Sequence, residues 1–278
     1  MKTFECKPSY DLNDFVALIS FLRSEEGCPW DRVQTHTSIR RNLLEEAYEL
    51  AETLDLDDKD HMKEELGDVM MQVLFHSDIE ADAGTFTIHD VADHACKKLV
   101  SRHPNLFGEK TTLDWDAIKR MERGEATVAS EMANVSRSLP ALWRADKIQR
   151  KAAKVGYDWP DVRDALDKIE EEAHELRLGV DAGDSENIIE ELGDLIFASV
   201  DAARMLGVDP EAAVHQACEK AIRRFTFMEA QAAKQGLNFE ELSLSQMEVL
   251  HQQARQEQEG KEPVFDKLEY FRTYEENQ

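Results

Sequence analysis

Two stretches decide the fold: Glu45-Glu46-Ala47-Tyr48-Glu49 with Glu64-Glu65-Leu66-Gly67-Asp68, and Glu171-Glu172-Ala173-His174-Glu175 with Glu190-Glu191-Leu192-Gly193-Asp194. The copies stand at one spacing of 126 positions, from Glu45 to Glu171 and from Asp68 to Asp194. Around the acids, apolar residues recur at helical period. Leu43, Leu44, Ala47, Leu50, Ala51 and Leu54 form one stripe, and Leu66, Val69, Met70, Val73 and Leu74 mark the inward side of the next helix. Residues three apart share a helix face, so Glu46 projects with Glu49 and Glu65 with Asp68. The acidic segment 55–60 is a turn, and helices joined this tightly pack antiparallel. The four carboxylates therefore converge, as do Glu172, Glu175, Glu191 and Asp194 in the second copy.

A site made of oxygens alone, with no His or Cys at ligand spacing, favours Mg²⁺, with Mn²⁺ as an alternative, over Zn²⁺. Mg²⁺ keeps waters and is usually completed by substrate phosphates, so the site implies a nucleotide-like ligand. The competing reading is a solvated acidic face duplicated with the rest of the surface. Against it, stacked like charges on one helix face repel and call for a cation.

The next predicted helix in each half supplies the opposite charge. Lys98 and Arg102, and likewise Lys220 and Arg224, are spaced i, i+4 and share a face. They are natural partners for a triphosphate, and salt bridges to nearby acids are the alternative. Trp30 in the first half, and Tyr157 and Trp159 in the second, are candidates for stacking a base, with core or lid packing as the alternative. Gly67 and Gly193 sit mid-helix, where Gly costs about 1 kcal/mol relative to Ala. A close approach of ligand or of another helix would explain them. His36 and His174 suit surface or capping roles, and Cys96 and Cys218 suit small buried positions.

Helices are expected over 12–23, 39–54, 62–79 and from Thr87 to Pro104. Further helices are expected from Pro140 to near Gly156, then over 162–180, 185–206, from Asp209-Pro210 to about Gln235, and over 244–259. These divide the chain into a domain over 1–123, a polar linker over 124–139, and a domain over 140–278 whose tail is loosely ordered from about 260. With 58 acidic against 33 basic residues, the net charge of −25 argues against nucleic acid polymers and anionic membranes as partners. Scarce Gly and Pro (12 and 7 of 278 residues) favour helix. Four scattered cysteines, without a CxxC pair, indicate neither a zinc site nor a disulfide framework. No signal peptide or membrane span is legible, so a cytoplasmic protein is expected.

The pattern EExxE, a gap, then ExxD resembles the MazG-type nucleoside triphosphate pyrophosphohydrolases in their two-domain form. CPWDRVQTH (28–36), LLEEAYEL (43–50), EELGDVMMQVLFH (64–76) and RHPNLFGE (102–109) resemble the family's N-terminal domain. LPALWRADKIQRKAAKVGYDW (139–159), the second acidic set and the segment around Arg223-Arg224-Phe225 resemble its C-terminal domain. The resemblance implies an all-α fold of two tandem MazG-like domains, each building a four-helix-bundle-type core by homodimerisation. It also implies Mg²⁺-dependent hydrolysis of nucleoside triphosphates to monophosphate and pyrophosphate. On this reading Glu172, Glu175, Glu191 and Asp194 hold the metal, with Glu46, Glu49, Glu65 and Asp68 equivalent in the first half. Glu171 and Glu45 orient or deprotonate the attacking water, and Lys220, Arg223 and Arg224 neutralise phosphates. On the last helix His251 and Arg255 stand where the family usually has Trp and Lys. Two rivals remain: a non-catalytic acidic interaction module, and a di-metal carboxylate protein, against which counts the lack of Glu-x-x-His in both second pairs.

Overall fold

A computed structural model describes residues 3–108, 124 and 127–258, and among them the regular elements are all helical. The chain divides into two compact units, Met1–Met121 and Glu122–Gln278. The first contains α1 (Leu12–Leu22), α2 (Pro29–Arg32), α3 (His36–Asp55), α4 (Lys59–Ala83), α5 (Ile88–Ser101) and α6 (Pro104–Phe107). The second contains α7 (Val128–Ala133), α8 (Ala141–Ala153), α9 (Val162–Ala182), α10 (Ser185–Met205), α11 (Pro210–Lys234), a 3₁₀ turn (Phe239–Glu241) and α12 (Leu244–Gln258).

Local chemistry sets where these helices begin. Asp11, Thr35, Thr87 and Asp161 close reciprocal capping boxes at the starts of α1, α3, α5 and α9. Such boxes satisfy amide groups that a helix leaves without internal partners. In each unit the most intimate pairing joins the two acid-bearing helices, α3 with α4 and α9 with α10. A preceding helix then packs on the second of the pair: α1 on α4, and α8 on α10. Ile19, Ile39, Leu74 and Phe75 form the buried centre of the first unit, while Met228, Ala232, Leu250 and Ala254 lock α11 to α12 in the second.

One arginine ties each preceding region to its acid helix, with the charges exchanged between halves. Arg23, at the end of α1, donates to Asp78 and Asp82 of α4, each at 3.0 Å, and lies over the Phe75 ring. Arg204, on α10 at the position matching Asp78, donates instead to Asp201 and to Asp158 in the segment before α9.

Three expectations change. The 124–139 stretch, expected to be a linker, carries α7, which packs on α8 through a Lys151–Glu131 ion pair, with Val135 buried beyond it. Leu66, Met70 and Val73, expected inward, are exposed, whereas Leu74 on the same stripe is buried against Ile19 of α1 and Ile39 of α3. Cys96 and Cys218, expected to be buried, are exposed on α5 and α11. The tail from about 260 falls outside the described residues.

Asp209 holds two elements at once. Its carboxylate caps α11 through the Ala212 amide at 3.0 Å and accepts from the Trp143 indole of α8 at 3.1 Å. Asp209→Ala is expected to cost about 1–2 kcal/mol by loss of the cap alone, seen as a lowered midpoint in urea unfolding of the full chain. An unchanged midpoint would remove the cap from the account.

Candidate metal and nucleotide site

The α3–α4 and α9–α10 hairpins bring the acids together as helical spacing requires. One carboxylate oxygen each from Glu46, Glu49 and Glu65 lies within 4.8 Å of the others, and Glu172, Glu175 and Glu191 repeat this in the second unit. Asp68 stands near enough to Glu46 and Glu65 to disfavour their ionisation. Asp194 lines the same cavity as Glu172.

The electrostatics of the two sets bear the mark of crowded like charge. The pKa values of Glu46 and Glu65 are raised above the usual carboxylate range, first by desolvation and then by their acidic neighbours. Glu191 is raised in the same way, although the Asn187 amide donates to it at 2.8 Å and works in the opposite sense. Gly179 on the facing helix leaves room for Asn187: a Cβ there would lie 2.5 Å from Asn187 Oδ1. Oε2 of Glu65 is buried without a hydrogen-bond partner. A buried acceptor among converging carboxylates is the chemistry of a hard-cation site, so the residues fit Mg²⁺ or Mn²⁺.

Lys168 was not singled out from the sequence. Its ammonium bonds Glu172 at 2.6 Å and Glu171 at 2.8 Å, and these bonds raise its pKa. The i, i+4 spacing to Glu172 was the available signal. Asn42 occupies the matching position in the first half. Glu171 is thus paired with Lys168, and Glu45 with Arg41 at 2.7 Å.

The second unit has a cavity large enough for a small ligand beside its acids. A space of about 570 Å³ opens between α8, α9 and α10, lined by Glu172, Asp194 and Lys168 at one end. Trp159, Phe197 and Met132 form apolar walls, and Gln149, Asp158, Asp201 and Arg204 contribute polar ones. Its existence follows from side-chain size. Ala165, Ala198 and Asp201 line the space, whereas the positions 126 earlier are Ile39, Gln72 and Phe75, all buried. The first unit fills with side chains what the second leaves open.

The other predicted site residues are more dispersed. Trp159 lines the cavity, while Trp30 lies exposed on α2 and Tyr157 at the cavity edge is 83% exposed. Lys98 and Arg102 stand on α5 and its end, and Lys220, Arg223 and Arg224 on α11. His251 and Arg255 lie on α12 beside the contact with α11. No hydrogen bond or ion pair joins Lys220, Arg223, Arg224, His251 or Arg255 to the acids among the described residues. Arg223 Nη1 and Arg224 Nε are buried N–H groups without a protein acceptor. His36, expected to be an ordinary surface residue, stacks on His76 and bonds it at 2.7 Å, and bonds Glu80 at 2.6 Å. At Gly67 and Gly193 an added Cβ would meet nothing within 4 Å, so packing within this chain does not account for either glycine.

Comparison with known proteins agrees with this architecture. A family model described as the MazG nucleotide pyrophosphohydrolase domain matches residues 34–107 and again 162–226. A Thermotoga maritima protein named nucleoside triphosphate pyrophosphohydrolase/pyrophosphatase MazG is 42% identical over 245 residues, covering 87% of this chain and 94% of that protein. The nucleoside triphosphate pyrophosphohydrolase of Escherichia coli (strain K12) is 37% identical over 243 residues, covering 84% of this chain and 92% of that protein.

The raised carboxylates set a pH and metal dependence. Below the usual carboxylate value of 4.5, Glu65 and Glu191 are protonated in folded and unfolded chains alike, and their crowding costs nothing. As pH rises from there through their raised folded values, the unfolded chain ionises first, and the metal-free fold loses stability. The double variant Glu65→Gln, Glu191→Gln should therefore melt higher than the parent at pH 7 without divalent cation, and gain less on adding Mg²⁺. Thermal unfolding with and without chelator checks this; a lower melting point in chelator would contradict it.

Proposed function

The chain belongs to the MazG nucleotide pyrophosphohydrolase family, and from that premise we propose that it hydrolyses nucleoside triphosphates to monophosphate and pyrophosphate, with turnover at the second acid set. The observation that carries this reading is the joining of Glu172 and Asp194 to a cavity of about 570 Å³, within the range of small-molecule sites. The first set has the acids, but Ile39 and Phe75 fill the matching space.

Glu172, Glu175, Glu191 and Asp194 hold the cation, with Glu46, Glu49, Glu65 and Asp68 as the equivalent set. Bound there, Mg²⁺ supplies charge stabilisation to phosphate oxygens and to the leaving pyrophosphate. The protein's own groups do the rest. Glu171, more than half exposed, accepts the proton of a water aligned on the α-phosphorus. The new bond joins the water oxygen to that phosphorus, and the bond to the bridging α–β oxygen breaks. Lys168 can exchange its bond to Glu172 for one to a phosphate. Trp159 and Phe197 offer ring faces to the base. Arg224 and Arg223, whose buried N–H groups lack acceptors, and Lys220 supply further positive charge toward the phosphates. Arg255 and His251 extend that surface. In the first half Glu45, Lys98, Arg102 and Trp30 are the corresponding residues.

The active form is a homodimer acting in the cytoplasm. Leu66 and Met70 on α4, and Leu192 and Ile196 on α10, are exposed at matching positions in both units. Repeated apolar stripes of this kind mark interaction surfaces. Open space at Gly67 and Gly193 beside them suits the approach of a second helix. Among the described residues no helix is long and apolar enough to cross a membrane.

Incubation with Mg²⁺ and each nucleoside triphosphate should give monophosphate and pyrophosphate; orthophosphate with diphosphate would overturn the regiochemistry. Glu172→Gln should lower kcat by about a hundredfold or more, and Glu46→Gln should leave most activity in place. Equal losses would contradict the assignment of turnover to the second half. Leu192→Glu with Ile196→Glu should shift the mass by light scattering from dimer to monomer; a parent that is already monomeric would refute the dimer.

A further inference from the structure

A chain of hydrogen bonds in the first unit runs through His36, His76, Glu80 and Thr85, and the proposed reaction makes no use of it. His36 opens α3, His76 and Glu80 stand one turn apart on α4, and Thr85 follows that helix. His36 Nδ1 lies 2.7 Å from His76 Nδ1, and His36 Nε2 lies 2.6 Å from Glu80 Oε1. The Thr85 hydroxyl donates to the other Glu80 oxygen. The His36 side chain is 46% exposed, so solvent protons reach the pair. His76 is half-buried, and its Nε2 is buried without a partner.

Two ring nitrogens come this close with one proton between them, and there is room for only one. Ionised Glu80 accepts from Thr85 and from His36, and these bonds hold its carboxyl below the usual carboxylate range. His36 Nε2 is thus a donor. With both rings uncharged, His76 Nδ1–H donates to the bare His36 Nδ1, and each bond of the chain is made. One further proton on either ring keeps the Nδ1 contact only by leaving an N–H on His76 Nε2, which has no acceptor. A second further proton sets N–H against N–H and breaks the contact. The charged groups of the surrounding helices are placed as follows. α1, α3 and α5 pack on α4. α1 brings Arg23, held by Asp78 and Asp82 of α4. Arg40 stands one turn beyond His36 on α3, and α5 brings His89 and Asp90, the latter bonded to Thr87. Burial first, and then His36, hold the His76 imidazole below its ordinary value.

We infer that this chain is a proton-operated latch, which ties the start of α3 to α4 while the two imidazoles are uncharged and releases it when both are charged. Release is confined to the turn around residues 32–38. Beyond it Ile39 is buried with Leu74 and Phe75, and before it Arg23 holds the Asp31 carbonyl at 3.2 Å. The latch therefore loosens the join between α2 and α3 without opening the hairpin that carries the acids. The two rings titrate as a pair. Above the ordinary histidine value of 6.5, His76 is uncharged whether the latch is open or closed, and the latch contributes in full. As pH falls from there through the lowered value of the closed form, the open form takes up protons first and closure is lost. Glu80, held low, works in a separate window below its ordinary 4.5.

Hydrogen–deuterium exchange of the full-length protein tests this, read by mass spectrometry on peptides covering residues 32–38 and referred to free-peptide rates at each pH. Relative exchange there should quicken by about tenfold between about pH 7.5 and about pH 5, the protection that one hydrogen bond supplies. His36→Gln keeps an amide donor for Glu80 and an acceptor for His76, and a charged His76 can still donate to it. That variant should stay slow at both pH values, and His76→Phe should be fast at both. A parent whose exchange does not change with pH overturns the inference, as does a pH response that survives in His36→Gln. Should the variants unfold, seen as fast exchange across α4, the histidine ring signals of the parent decide by nuclear magnetic resonance. Titration of His76 below 6.5, with a step that also moves the His36 signal, sustains the latch. Independent titration of the two rings overturns it.

Discussion

Repulsion among carboxylates is the constraint on which the rest of the molecule depends. Three glutamates in each unit place oxygens within 4.8 Å of one another, on helices that must pack closely to do so. Desolvation and neighbouring charge both oppose their ionisation. A fold that keeps such a cluster must hold its backbone by other means. The reciprocal caps at helix starts, the buried arginines on their aspartate pairs, and the packing of α1 on α4 and of α8 on α10 do this away from the acids. The acid clusters are therefore built on a scaffold that does not rely on them for its own cohesion.

Duplication preserved the acids and let the surroundings diverge. Ile39, Gln72 and Phe75 give the first unit a filled interior at the places where Ala165, Ala198 and Asp201 open the second. A phenylalanine and an isoleucine bury apolar area and stabilise, whereas alanines next to a cavity forgo that contribution. Stability and ligand space compete for the same volume, and the two halves resolved the competition in opposite ways. The exchange of partners around Arg23 and Arg204 belongs to the same divergence. In the first unit the guanidinium covers Phe75 within the core, and in the second it forms part of the cavity wall.

Helix positions and the acid clusters were legible in the sequence because both depend on local periodicity. Spacing of three and four residues fixes which side chains share a face, and Asp209-Pro210 or Thr87 announces a helix start without any tertiary information. Which apolar face would be covered was not legible. Leu66, Met70 and Val73 fit a helical stripe as well as Leu74 does, and only the placement of α1 separates them. Cys96 and Cys218 show the converse error, since residue type suggested burial that the neighbouring helices do not provide.

Lys168 carries a consequence for how the second acid set meets its ion. Its ammonium is tethered one helical turn from Glu172 and already lies against that carboxylate. On the proposed assignment of Glu172 as a metal ligand, a divalent cation would displace this monovalent one, and the freed ammonium would stand among the residues that line the cavity. The first set has Asn42 at this point and no tethered cation to release. On that assignment, loading the metal and readying the site for a polyanion would be, in the second half, two ends of one side-chain movement.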